Sequence, residues 1–519
     1  MKPSLSEKLL KSAAFLHPVT ELKLFETHIS WVVLTGLYAY KIKKPVNFEF
    51  LDYSTLEKRL YYCQRELQLN RRFAPEIYID VVAISDVDGQ WKFDNSENIA
   101  DYAVKMRQFD NDYLADKLAD RHQLTSSMVR KLASEIAHFH HYFPSYQSEK
   151  KETTAKAFEK ALCQNFQQIE TYPIADVDRK LLIRIKDWQL RAVEKFFPLM
   201  ARRAMEGYVK DCHGDCHLGN IVFINDKPTL FDCIEFNDDF RLMDTIAEAG
   251  FLSMDLCARN FSALADRFLN DYLEYRGDYD GLKLLELFRS HFAVVRAKVS
   301  LLKEDPNRTT LQSGESYLKF NSYLQLAETF THNKPSFLAI MHGVSGTGKS
   351  YLAGNVCALT GAIRIRSDVE RKRLFNMNPE QSSSTIADMY SANASRLTFS
   401  KLLELAITII DAGFPCIVDA TFLEQSTRQP FIEWARDHAI PFAILSCHTD
   451  EKVIRQRLLE RTQRADDASE ADVRIYERQL YHAAPISNSE LVFTHIIDTD
   501  AADCVDKTVR ILSNLARCT

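Results

Sequence analysis

The run Gly343 to Ser350, GVSGTGKS, constrains what this 519-residue chain can fold into more than any other stretch. Its glycines free the backbone to wrap a phosphate with N–H groups, its lysine supplies positive charge, and its final hydroxyl suits a divalent cation. That chemistry needs a strand to deliver the loop and a helix to depart from it. Both are present: the apolar FLAIMHG at 337–343 precedes the loop and helical sequence follows. Further strand-like runs at 362–366 (AIRIR), 415–421 (PCIVDAT), 441–447 (PFAILSC) and 491–498 (LVFTHIID) alternate with helical stretches. The alternation predicts an α/β domain with a mainly parallel sheet and helices on both faces. The polar segment 331–335 (THNKP) marks its start, giving domains 1–333 and 334–519.

Two domains also suit the length, which exceeds what one hydrophobic core usually organises. A hydrophobic fraction of 46% and a charged fraction of 26% are those of ordinary folded protein. The net charge of -6 gives no overall basic footprint for nucleic acid. No stretch approaches the roughly 20 apolar residues of a membrane span, and the N-terminus lacks a signal-peptide core, so the expectation is a cytoplasmic protein with no membrane and no obligate protein partner. The 11 cysteines are scattered singly (Cys63, Cys163, Cys257, Cys357, Cys416), as reduced core cysteines are. Cys212, His213, Cys216 and His217 have metal-ligating side chains, but the Gly-Asp between them weighs against zinc.

In the first domain, residues 29–46 (ISWVVLTGLYAYKIKKPV) read as two strands around a Thr-Gly turn, with Lys41 and Lys43 on one face. Residues 56–73 read as a helix carrying Glu57 and Glu66. Strand-like runs at 77–84 and 101–109, separated by Asp88-Gly89, complete a small β-rich lobe over 25–110. From 111 to 333 helical patterns dominate, at about 125–143, 152–170, 177–204, 241–276 and 281–331, interrupted by short strands at 221–224 and 229–231.

Between those helices lies a second phosphate-handling pattern, His213 to Asn220 (HGDCHLGN) followed by Asp232. Asp215 precedes Asn220 by five residues, and a hairpin through Asn225-Asp226 returns Asp232 toward that asparagine. Phosphoryl transfer needs a carboxylate to orient or deprotonate the attacking hydroxyl, and oxygen ligands for magnesium. Asp215 suits the first task, Asn220 and Asp232 the second. Lys41, with Lys43 as alternative, suits the phosphate contact, and Glu66, with Glu57 behind it, suits the pairing carboxylate. A solvated strand edge is the plainer reading of the two lysines.

The signature H-G-D-x-H-x-x-N, matched by His213, Gly214, Asp215, His217 and Asn220, resembles that of the aminoglycoside phosphotransferase family. The resemblance implies an α+β, kinase-like, two-lobed fold and ATP-dependent phosphorylation of a hydroxyl on a small molecule. It matches Asp215 to the catalytic aspartate, Asp232 to the metal aspartate, and Asp244 to a supporting one. The chain departs from protein kinases in lacking G-x-G-x-x-G before Lys41 and in having Asp-Cys-Ile-Glu at 232–235 where they have Asp-Phe-Gly.

The glycine loop has companions of its own. Gly343, Ser345, Gly346, Thr347, Gly348, Lys349 and Ser350 would hold phosphate, with Ser350 and Asp419 on magnesium. Asp368 would serve as base and Arg371 as anion clamp, while Arg457, Arg461 and Arg464 share one helical face as a lid. The plainer readings are a helix N-cap for Asp368 and a solvated face paired with Glu460 for the arginines. This half resembles the zeta-toxin and polynucleotide-kinase branch of P-loop kinases, through the loop, Asp368 with Arg371, and Asp419 to Thr421. The expectation for the whole is two ATP- and magnesium-dependent phosphotransferase modules acting on hydroxyl acceptors, small molecules before macromolecules. The alternatives are that one module is a regulatory nucleotide switch, or that the basic stretch 454–464 serves a nucleic-acid end kinase.

Overall fold

A computed structural model describes residues 14–48, 51–145, 153–302, 314–377, 389, 391–464 and 473–517. The chain forms two compact units, one of Met1–Lys131, His138–Ala161 and Lys195–Asp255, the other of Leu132–Ala137, Leu162–Glu194 and Leu256–Thr519.

The first unit begins with β1 (Lys23–Glu26), β2 (Ser30–Leu34) and β3 (Tyr38–Lys43), then a small ribbon of β4 (Asn47–Phe48) and β5 (Leu51–Asp52). Helix α1 (Leu56–Asn70) starts at Thr55, whose side chain accepts from the Lys58 N–H. After β6 (Tyr78–Val87), β7 (Gln90–Phe93) and β8 (Ile99–Arg107), the six main strands form one antiparallel sheet in the order β1-β2-β3-β8-β6-β7. The alternation along β3 has the expected consequence. Tyr40 and Ile42 enter a core with Val33, Ile84, Phe93 and Ala103 on one face, while Lys41 and Lys43 point to the other.

The Asp88-Gly89 turn closes a hairpin from β6 into β7, a strand not read from the sequence, and β8 then inserts between β3 and β6. Both turn residues have positive φ, 50° and 78°, which suits a two-residue hairpin but says nothing about which strand follows.

Short helix α2 (Ala115–Asp120) leads to α3 (Ser126–Tyr142), α4 (Thr153–Glu170) and the 30-residue α5 (Asp176–Met205). The site region of the first unit follows: β9 (Val209–Asp211), the hairpin β10 (Ile221–Ile224) and β11 (Lys227–Leu230), then β12 (Leu242–Asp244) and α6 (Thr245–Ala258). The expected helix over 241–276 is therefore broken twice. Residues 242–244 pair antiparallel with β9, and Asn260 adopts φ 66° after α6, a left-handed turn that asparagine tolerates.

In the second unit, α7 (Ser262–Arg276) ends at Gly277 with φ 70°, followed by α8 (Leu282–Leu301) and α9 (Glu315–Thr329). Beyond them lies a five-stranded, wholly parallel sheet of β13 (Leu338–His342), β14 (Ile363–Arg366), β15 (Cys416–Asp419), β16 (Phe442–His448) and β17 (Thr494–Asp498), in the order β14-β15-β13-β16-β17. Its helices are α10 (Lys349–Thr360), α11 (Ser367–Leu374), α12 (Ala392–Asp411), α13 (Gln425–Asp437), α14 (Glu451–Arg464), α15 (Val473–His482) and α16 (Cys504–Arg517). Strands buried on both faces read as continuous apolar runs, which is why LAIMH and CIVD were legible as strands. Ala339, Met341, Leu352, Val356, Ile417, Leu445 and Ile497 close one core against α10 and α16. Residues 491–493, expected as strand, form a 3-10 turn before β17.

Candidate active sites

In the first unit the loop after β9 carries Asp215. The Asn220 side-chain nitrogen donates to the Asp215 carbonyl at 3.0 Å and to its carboxylate at 3.1 Å, which leaves the Asn220 amide oxygen as the atom able to ligate a cation. His217 Nε2 lies 3.4 Å from the same carboxylate. Burial lowers the His213 pKa, so the ring is neutral; its Nε2–H donates to the Phe231 carbonyl at 2.9 Å, and Nδ1 accepts from the Asp215 N–H at 3.4 Å. One imidazole thus ties the Asp215 loop to the strand end that presents Asp232.

Asp232 itself has φ 63°, a strained conformation for an aspartate, and its N–H donates to the hydroxyl of buried Tyr78 at 3.0 Å. The side chain pairs with Lys41. Lys41 also donates to Glu66 Oε1 at 2.9 Å, and Lys43 donates to Glu66 Oε2 at 2.7 Å. Burial opposes charge on Lys41, but Asp232 and Glu66 outweigh it and raise its pKa well above the ordinary value. Burial likewise pushes Glu66 up, and the two lysines overcome that and hold it low. Neither lysine lies on a solvated edge. Lys41 reaches Asp232, whereas Lys43 is wholly buried against Glu66, Glu235 and Tyr53. Glu57 stands exposed in the first turn of α1.

Several supports carry no mark in the sequence. Asn70 accepts from the Cys233 N–H at 2.8 Å, Glu235 pairs with Lys43 and Tyr53, and buried Glu248 accepts from the N–H groups of His213 and Gly214 at 2.8 Å each while meeting His140 Nε2 at 2.9 Å. These pairs join residues 34 to 192 positions apart. Asp244 forms a buried two-point pair with Arg203, at 2.7 and 2.8 Å, and caps α6 through the Ile246 N–H. Cys212 and Cys216 are buried thiols whose pKa burial drives well above the usual value.

In the second unit the glycine loop lies between β13 and α10 as expected. Gly343 and Gly346 have φ 134° and 87°, and a Cβ on them would meet the Cys447 carbonyl at 2.5 Å and Ile454 Cγ2 at 2.8 Å. Lys349 Nζ donates to the Val344 carbonyl at 2.7 Å. A cavity of about 1,630 Å³ opens over the loop, lined by Ser345, Gly346, Gly348, Lys349 and Ser350, and reached by Asp368, Arg371, Asp419 and Arg457. Gly343 and Thr347 do not line it: Gly343 packs beneath Cys447, and Thr347 Oγ1 donates to the Val344 carbonyl at 2.8 Å. The volume exceeds the roughly 300–1,000 Å³ typical of a single ligand pocket.

Asp368 is not the N-cap of α11. That position is Arg366, without a side-chain cap bond, and Asp368 pairs instead with Arg371 at 3.1 Å. Arg457 pairs with Asp500 at 2.6 Å rather than with Glu460, which bonds Gln456. Arg461 and Arg464 are in α14, but their side chains lie outside the described residues. Asp419, at the end of β15, is 5% exposed, and its Oδ2 has no hydrogen-bond partner among the described residues. A buried carboxylate oxygen without a hydrogen bond, lining the same cavity as Ser350 and 3.8 Å from Arg366 Nε, fits a cation. Gln479 of α15, which no sequence motif marks, accepts from the Ser345 N–H at 2.7 Å.

The loop after β15 is fixed by a buried pair. Arg428 binds Glu490 at 2.7 and 3.1 Å and donates to the Phe422 carbonyl at 2.9 Å, where φ is 46°.

Residues 92–285 match the model of the phosphotransferase enzyme family, and residues 338–486 match that of an AAA domain. Uncharacterized proteins of Mycobacterium tuberculosis and Mycobacterium bovis are 28% identical over 458 residues, 87% of this chain and 89% of theirs. Among solved structures, a gluconokinase from Sinorhizobium meliloti 1021 is 21% identical, over 36% of this chain and 96% of that one, with a TM-score of 0.26. A choline/ethanolamine kinase family protein from Mesorhizobium loti is 9% identical, over 61% and 90%, with a TM-score of 0.39. No described helix is long and apolar enough to cross a membrane. The chain joins a domain matched by the phosphotransferase enzyme family to a P-loop domain matched by the AAA model, and it is an ATP-dependent phosphotransferase.

Proposed function

We propose that the chain is bifunctional: each module transfers a phosphoryl group from magnesium-bound ATP to the hydroxyl of an acceptor, in both cases a small molecule, in the cytoplasm. The two modules are divided at 333/334, with a small lobe over 25–110 and a helical lobe over 111–333. The observation that carries this reading is that each phosphate-handling site has its own lysine and its own carboxylates, drawn from a single compact unit.

In the first module Asp215 orients the acceptor hydroxyl and accepts its proton, Lys41 braced by Glu66 contacts the nucleotide phosphates, and Asn220 with Asp232 would hold magnesium. In the second, Ser345 to Ser350 cradle phosphate, Asp368 takes the acceptor proton, and Arg371 and Arg457 meet the transferring charge with Arg461 in support. Ser350 and Asp419 would hold magnesium there. A bound cation neutralises phosphate oxygens; the protein groups orient the acceptor and exclude water.

The test is a phosphorylation screen of small hydroxyl compounds with wild type, Asp215→Asn and Lys349→Ala. Two activities, each lost in one variant, support the reading. A single activity lost in both variants refutes it.

A further inference from the structure

β14 carries Arg364 and Arg366 two residues apart, so both guanidinium groups leave the same face of the strand while Ile363 and Ile365 enter the core on the other. Two cations crowded at a largely buried sheet edge repel unless a carboxylate lies between them. That carboxylate is Glu274 of α7, from the stretch that matches the phosphotransferase family. Its Oε2 meets Arg364 Nη2 at 3.0 Å and its Oε1 meets Arg366 Nη1 at 2.8 Å. Its position is fixed by the backbone. Asn270, one turn earlier, accepts from the Arg364 N–H at 2.7 Å and donates to the Ala362 carbonyl at 3.0 Å, and Arg373 donates to the Glu274 carbonyl at 2.6 Å.

Arg366 stands between two carboxylates. It is hydrogen-bonded to Glu274, whereas its Nε lies 3.8 Å from Asp419 Oδ2, too far for a hydrogen bond. Arg364 meanwhile donates to the Ser350 carbonyl at 3.3 Å, so the same glutamate braces the first turn of α10.

We infer that Glu274 is a positioning residue of the P-loop site: it draws Arg366 away from Asp419 and so leaves Asp419 Oδ2 open to a divalent cation. A residue of the first module thereby sets the cation affinity of the second. The inference rests on the reading of Ser350 and Asp419 as cation ligands.

The test uses the full chain with Asp232→Asn, which removes a cation ligand of the first site, and reads Mn²⁺ binding by electron paramagnetic resonance with saturating non-hydrolysable ATP analogue. Glu274→Gln is expected to weaken Mn²⁺ by about tenfold, as loss of a group that orients a metal ligand does. Adding Arg366→Gln, which removes the competitor for Asp419, restores affinity to within about threefold, and Glu274→Asp retains it. Unchanged affinity in Glu274→Gln, or a loss that Arg366→Gln does not restore, overturns the inference and leaves Glu274 as a tie between α7 and β14. If Lys349→Ala in the same background leaves Mn²⁺-nucleotide binding intact, the P-loop reading fails and the inference falls with it.

Discussion

The two phosphate sites differ in how their charges are held. In the first, Lys41 is engaged by Glu66 and Asp232, partners 25 and 191 residues away, and a second lysine lies wholly buried behind it. In the second, one strand, one loop and one helix N-terminus supply most of the cradle within eight residues, and Asp419 keeps an oxygen without a hydrogen bond. A contiguous backbone cradle needs only correct local geometry, whereas a lattice of side-chain charges needs the whole fold.

The largest effect that separates the sites is on turnover. Asp215→Asn is expected to lower transfer by the first module by about 10²–10⁴-fold, the contribution of a positioned base, with the second module unaffected in the same assay. A parallel loss at both would break the comparison.

Next comes stability. Arg428→Met strands buried Glu490 and is expected to cost about 3–5 kcal/mol in urea unfolding, because an unpaired buried charge remains. Burial pushes the Glu490 carboxyl up, but hydrogen bonds from Arg428 and from Ser487 outweigh it and hold the pKa at about 2. A carboxyl depressed by folding contributes stability above its unfolded pKa and loses it as pH falls through the folded one. The gap between wild type and Arg428→Met should therefore be full at pH 6 and shrink on acidification from about pH 4.5 toward 2. A gap that widens in acid contradicts the pairing.

Gly346→Ala places a Cβ 2.8 Å from Ile454 at a φ of 87°, so nucleotide affinity at the P-loop should fall by about tenfold, or about 1.4 kcal/mol, within the range of a strained backbone residue. Calorimetric titration checks it. The smallest effect belongs to Glu57→Gln: this exposed residue pairs with neither lysine, so both activities should stay within about twofold, the reach of an ordinary surface change. A loss comparable to that of Glu66→Gln would mean that the wrong glutamate holds Lys41.

Strand and loop identities in the P-loop half were readable because a parallel sheet buried on both faces writes itself as apolar runs. Both glutamates of the helix were candidates for the lysine in sequence, and the structure pairs Lys41 with Glu66. Other features had no such signal. Residues 242–244 look helical locally, and only pairing with β9 makes them a strand. Glu235, Asn70, Glu248 and Gln479 are ordinary surface-type residues in sequence, and they become part of the sites only because strands and helices distant in the chain converge on them. The plainer readings of Asp368 as a cap and of Arg457 as paired with Glu460 were equally local, and the pairs with Arg371 and Asp500 replaced them.

By itself, then, the sequence determined that there are two phosphate-handling motifs, on which elements they lie, and the residue types each offers, because loops, turns and periodicity act over a few residues. Tertiary structure alone decided which charges meet: that Lys41 takes Asp232 while Lys43 takes Glu235, and that Glu274 reaches across to Arg364 and Arg366. The physical reason is that a buried charge must find its counter-charge wherever the fold brings one near, and nearness in space leaves no mark on spacing along the chain.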